Sequence, residues 1–304
     1  MRPFKNKLVS TLTLAALLLA GDTLAAQDAV APEPLPSPIV FQDHIPSDQL
    51  AFLNDYAGKP TKAVVKDKRF HSLMKKVTPN TMYHYGRDMP LSIASEDMLD
   101  GDSLPIDIRQ GRYVMIATSG GLYLSGRGFV WIDIQEGIVL GGVYFHPVNG
   151  EPTPTLAIFS RQLRDTSLSM SQLPLAFAEG LSQWMQTAKA RFVSPRYFIP
   201  ENGKKYVLVH DEDYCDHPAN SPAPPQDECQ QLNAEAADAD LNAADFMAQT
   251  HNAANATAWM LGPAQAAWLG VRNQSCGLGP NGMSCRIRLT RQRTRLLLQQ
   301  RSRN

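Results

Sequence analysis

The sequence predicts an α+β region with an antiparallel sheet, followed by a small all-α region stapled by disulfides. Three observations carry this expectation. Residues 112–163 are a succession of β-branched and aromatic runs broken by glycine-rich turns. Beyond the proline-rich stretch HPANSPAPPQDE (217–228) the composition becomes almost wholly helical. All four cysteines, Cys215, Cys229, Cys276 and Cys285, fall in the last third.

Taken in order, residues 1–26 read as a secretory signal peptide. Arg2, Lys5 and Lys7 precede an apolar run from Leu8 to Ala20, and small residues follow for cleavage at Ala25 or Ala26. That run is shorter than the ~20 residues a membrane span needs, and no later segment approaches that length. The expected location is the periplasm, or the exterior after secretion. Residues 27–38 form a proline-rich leader with nothing to bury. The two folded regions are expected at residues 39–210 and 211–304, in line with ~100–200 residues per domain.

Within the first region, residues 47–56 read as a short helix capped by Ser47 or Asp48. Residues 62–77 read as one basic-faced helix ended by Pro79. The runs YVMIATS, LYLSG, FVWIDIQ, IVLGGVYFH and TLAIFSRQL predict an antiparallel meander. Residues 173–192 follow as an amphipathic helix whose stripe, Phe177, Leu181, Trp184 and Ala188, should cover one sheet face. RYFIP and KKYVLVH add two strands. Helices are expected on one side of the sheet. In the second region, helices are expected at residues 229–249, at 263–273 with Pro263 at its start, and at 284–300 with Ile287, Leu289, Leu296 and Leu297 available for packing.

Formal charge is balanced, which argues against nucleic acid as a partner. Its distribution is uneven. No Lys or Arg lies between Lys205 and Arg272, a stretch that holds Asp211, Glu212, Asp213, Asp216, Asp227, Glu228, Glu235, Asp238, Asp240 and Asp245; after Cys285 the charge is arginine only. Four cysteines in an exported chain point to two disulfides, and the absence of any CxxC pair argues against zinc. Three connectivities are open. If the first two helices run antiparallel, Cys229 would meet Cys276 and Cys215 would meet Cys285.

Candidates for catalysis are sparse. His84 with Asp88, Asp133 with Glu136, and His146 with Glu151 are the clusters that place acid, base or ligand groups close together. Asp133 is expected to face water and Glu136 to sit in a turn, solvated carboxylates being the simpler reading of that pair, and the residues around His146 and Glu151 fit a turn without a metal. There is no G-x-S-x-G, H-E-x-x-H or phosphate-loop pattern, no cofactor motif, and no cysteine nucleophile before Cys215. No catalytic, metal or cofactor site is expected.

Three pieces in order, ADADLN (237–242), AQAAWLGVRNQSC (264–276) and CRIRLTRQRTRLL (285–297), resemble the LprI-like lysozyme inhibitor family. Asp238, Leu241, Asn242, Gln265, Trp268, Arg272, Thr290 and Arg293 fall on its pattern, along with the cysteines. The departures are Phe246, where tyrosine is frequent, and Gly262-Pro263, where a longer second helix is common. The resemblance implies export, disulfides, a small helical domain and inhibition of a lysozyme or related muramidase. It says nothing of residues 39–210. The residues themselves place Trp268 and Arg272 on one helical face, with Trp268 packing inward and Arg272 bridging to Asp238 or Asp240. The acidic stretch would favour encounter with a cationic enzyme, or would neutralise the arginine-rich last helix. The alternatives in function are a cell-envelope hydrolase with a catalytic first region, and an envelope binding module without inhibitory activity.

Overall fold

The computed structural model describes residues 40–120, 126–145, 154–216, 225–251 and 258–302. The expected signal peptide and leader, the LYLSG strand and the His146/Glu151 pair lie outside these residues, LYLSG but for its final Gly126. The described residues fall within one compact unit.

The first helix among the described residues is α1 (Ser47–Leu50), which tightens into a 3-10 turn through Tyr56 and has no side-chain cap. The single helix expected over 62–77 is two: α2 (Thr61–Val65) and α3 (Lys68–Val77). Asp67 divides them, because its carboxylate accepts from the Arg69 backbone N–H and starts the second helix as an N-cap. A small hairpin, β1 (Met82–His84) and β2 (Asp88–Pro90), leads into α4 (Leu91–Leu99). Next come β3 (Asp102–Ser103), β4 (Asp107–Arg109), β5 (Tyr113–Gly120), β6 (Arg127–Asp133), β7 (Ile138–Phe145), β8 (Thr155–Phe159) and β9 (Leu168–Ser169). Helix α5 (Leu175–Thr187), β10 (Arg196–Ile199) and β11 (Tyr206–Val209) complete the region.

Nine strands form one sheet in the order β3-β5-β6-β7-β8-β10-β11-β9, with β4 also on β5. From β5 to β8 the pairing is antiparallel, as the meander predicts. The sheet as a whole is mixed, since β10 lies parallel to β8 and β11 parallel to β9. The cause is α5: a helix inserted after β8 carries the chain across the sheet, so the next strand re-enters in the same direction.

Strand alternation separates two cores. Val114, Ile116, Val130, Ile132, Val143 and Phe159 face α1–α4. Met115, Phe129, Trp131, Leu140, Leu156 and Phe198 face α5, whose expected stripe of Phe177, Leu181, Trp184 and Ala188 is buried there. Helices therefore cover both faces, not one, because both sets of alternating residues are apolar. Trp184 Nε1 also donates to the Thr118 carbonyl at 3.0 Å. Gly141 and Gly142 face the Phe159 and Phe129 rings of the flanking strands, and a Cβ at either would fall inside the ring. Glycine here lets an aromatic ring lie flat across the strand.

The last region is helical: α6 (Gln226–His251), α7 (Ala258–Cys276) and α8 (Met283–Ser302). α7 starts five residues earlier than expected and runs through Pro263, whose ring is exposed. The longer second helix is thus present in spite of Gly262-Pro263. Among the described residues, no helix is long and apolar enough to cross a membrane.

Two disulfides are formed, Cys215–Cys229 and Cys276–Cys285. This overturns the pairing expected from an α6/α7 antiparallel hairpin. α6 packs chiefly on α8 rather than α7. Each cysteine accordingly meets its nearest partner in sequence, across 14 and 9 residues, the closures with least loop entropy to overcome.

Candidate functional site

The alanine-rich composition of α6 has a direct structural use. Ala236, Ala237, Ala243 and Ala244 are buried, and with Leu241 and Leu297 they allow α6 to approach its neighbours closely. Leu297 of α8 is buried, whereas Leu296 is exposed and Ile287 and Leu289 are half-buried.

Around this contact the structure brings together most of the residues singled out in the sequence. Arg272 of α7 donates from Nη1 to Asp238 of α6 and to the Thr290 hydroxyl of α8, both at 2.8 Å. One guanidinium thus ties three helices. Its own plane lies 5.7 Å from the Trp268 ring centroid, and the Arg293 guanidinium lies 5.9 Å from it. Arg293 Nε also reaches Gln265 Oε1 at 3.5 Å. Thr290 and Gln265 are buried and Trp268 is half-buried. Cation–π contacts are each worth roughly 0.5–2 kcal/mol, and hydrogen bonds to a charged group about 1.5–3 kcal/mol. The pattern of tryptophan, arginines, aspartate and threonine is therefore a structural clasp.

Asn242 lies apart from the clasp. It is exposed and lines a groove of about 490 Å³ between α6 and the sheet, with Glu235, Asp238, Asp245, Phe246 and Tyr197. Asp245 is half-buried; burial pushes its carboxyl above the usual carboxylate range, while Gln249 donates to it at 2.7 Å.

A second polar cluster, not anticipated from sequence, joins the helices to the sheet. Asp240 is buried and accepts from the backbone N–H of His210 at 2.7 Å as well as bonding its Nδ1. Beside it, buried Arg196 at the start of β10 donates to Glu212. Burial pushes the neighbouring Tyr214 phenol up to about 12. Asp213 accepts from Asn233 Nδ2 at 2.7 Å and from the Cys215 backbone N–H at 2.9 Å, and these bonds hold its carboxyl below the usual range. No motif signals the side-chain pairs among these, because Arg196–Glu212, Asp213–Asn233 and His210–Asp240 stand 16 to 30 residues apart with no fixed spacing. Part of the acidic stretch is paired within the molecule: Glu212 with Arg196, Asp238 with Arg272 and Asp240 with His210.

The catalytic candidates divide. His84 and Asp88 meet at 2.8 Å on an exposed hairpin. Asp133 is buried rather than facing water: Arg112 grips both its oxygens at 2.8 and 2.7 Å, and it accepts from the backbone of Gln135 and Glu136. A carboxylate so occupied is a turn-holding group. Glu136 sits 3.6 Å from the same guanidinium. Among the described residues, no three potential metal ligands cluster.

Fold and site together define a disulfide-fastened three-helix module carried against an α+β sheet. Residues 215–297 of this module match the model of the family described as lysozyme inhibitor LprI. No curated protein and no solved structure matches the chain.

Proposed function

We propose that this is an exported, non-enzymatic protein that binds and blocks a lysozyme or related muramidase in the cell envelope. The observation that carries this reading is the family match over residues 215–297, supported by the Trp268–Arg272–Asp238–Thr290 clasp formed by residues of the same segment. The two disulfides suit an oxidising compartment, in keeping with the periplasm and with the N-terminal signal pattern. In this reading, residues 211–304 are the inhibitory unit and residues 39–210 its carrier.

Lysis of cell-wall suspensions followed by turbidity tests the proposal. Added protein should slow lysis by a c-type lysozyme and cause no lysis alone. Clearing without added lysozyme would make the chain a hydrolase, and no effect on either rate would leave it a binding module without inhibitory activity.

A further inference from the structure

The α7–α8 connection is the most prominent apolar projection among the described residues. Leu278 is 77% exposed, more than any other large hydrophobic side chain described. Gly277, Gly279, Pro280 and Asn281 around it are exposed too. An exposed leucine on a slack loop would mean little. This loop is fastened at every level.

Cys276–Cys285 closes its base. Arg286 Nη1 donates to the carbonyls of Gly277 and, at 3.1 Å, of Gly279. The backbone adds Gly277 N–H to Asn273 O at 2.9 Å and Gly282 N–H to Gly279 O at 3.1 Å. Gly277 takes a positive φ of 75° to leave the helix. Buried Gly282 sits so close to the Cys276 carbonyl that no side chain would fit. Proline at the start of the 3-10 turn Pro280–Gly282 removes further freedom. A convex loop held this way loses little entropy on docking, which is the main cost that weakens flexible loops as ligands.

The charge on the two helices that carry the tip has one sign. From Phe246 to the end of the sequence there is no Asp or Glu. Arg272 is neutralised by Asp238 of α6, but Arg286 and Arg288, in the first turns of α8, form no ion pair among the described residues. Arg288 is exposed. A rigid convex element with an apolar tip and cationic flanks is complementary to a concave site lined by carboxylates. Glycoside hydrolases cleave with a pair of Asp/Glu side chains set across such a cleft.

We infer that the turn of residues 277–282 is the element that enters the substrate cleft of the inhibited enzyme, with Leu278 at its tip and Arg288 facing the cleft carboxylates. This inference rests on the inhibitor reading above and adds to it the surface, the mode and the competitor. Inhibition is competitive with substrate.

The test uses the full chain and a c-type lysozyme. Leu278→Asp should weaken inhibition by at least about 30-fold, the loss expected of an interface anchor. Arg288→Glu should weaken it by about tenfold through repulsion by the cleft carboxylates. Leu175→Asp, at an exposed apolar position of α5 in the first region, should inhibit like the parent protein. Circular dichroism melts check that all three variants fold. Saturating N-acetylglucosamine trimer, which fills the cleft, should abolish binding of the parent protein measured by calorimetry. Parent-level inhibition by Leu278→Asp, or binding undiminished by the trimer, overturns the cleft-insertion mode and leaves the inhibitor reading standing. A parent protein that neither binds nor slows the enzyme overturns both.

Discussion

Asp240 takes both the backbone N–H and the imidazole of His210, so one carboxylate on α6 is bonded twice to the residue that follows β11. Both side chains are buried. This bond pair decides where the helical module sits on the sheet, and the apolar contact of Leu241, Ala244 and Met247 follows in the same core cluster as Val207 and Tyr197.

Removing the carboxylate leaves a buried N–H and a buried ring nitrogen without their acceptor. Asp240→Ala is therefore expected to destabilise by about 2–5 kcal/mol, the cost of leaving two buried polar groups without their partner. Asp240→Asn keeps an acceptor and should lose only about 1–2 kcal/mol. Urea unfolding of the two variants beside the parent protein measures the difference, and equal losses would contradict the double acceptance.

The clasp gives a contrast between two cations. Arg272→Lys preserves charge but cannot reach Asp238 and Thr290 while lying over Trp268. A loss of about 1–2 kcal/mol is expected, with Arg272→Ala losing somewhat more. Thermal melts report the stability. A change in tryptophan emission that disappears in a Trp268→Phe background would place the effect at the clasp.

Tyr214 supplies a pH dependence at the alkaline end. Burial raises its phenol from 10.0 to about 12 in the folded protein. The unfolded chain begins to lose this proton near pH 10 while the folded one retains it, so the stabilising contribution is complete below 10 and is lost as pH rises toward 12. Melting temperatures should fall over this window, and Tyr214→Phe should make the fall shallower. An identical slope in the variant would remove Tyr214 as its source.

Disulfide mapping is decisive for the helical module. Proteolysis without reduction should yield one linked peptide pair holding Cys215 and Cys229 and another holding Cys276 and Cys285. Replacing either pair with serines should cost about 2–3 kcal/mol, given loops of this size. Linked Cys229 and Cys276 would restore the hairpin arrangement that the packing of α6 on α8 rules out.

Glycine at 142 is a steric requirement that the turn-rich sequence did not distinguish from the rest. Gly142→Ala drives a methyl group into the Phe129 ring and should destabilise by about 1–3 kcal/mol, the usual range for overpacking a core. Combining it with Phe129→Leu should recover part of the loss, as a coupled pair does. Additive losses from denaturant curves would place the strain elsewhere.

Several elements were legible because their signal is local. Alternation of apolar residues marked β5 to β8, and the 3.6-residue stripe from Phe177 to Ala188 marked α5 and its buried face. The spacing of Trp268 and Arg272 placed them on one face, and Asp238, one of two aspartates in reach, is the partner found. Other features were misjudged where a local rule met a tertiary one. Asp133 alternates as a surface residue, yet it is gripped by Arg112, just before the adjacent strand β5, and is buried. The continuous basic face of residues 62–77 hid the break that Asp67 imposes.

By itself the sequence determined the α+β class, the change to helix after the proline-rich stretch, the need for two disulfides and the family pattern of the last region, because each is written in the order and spacing of residue types. Only the tertiary structure decided the parallel entry of β10, the covering of both sheet faces, the disulfide partners, the His210–Asp240 bond and the fastening of Leu278 at the tip of its turn. These depend on which surfaces meet when distant segments pack. No interval along the chain encodes them.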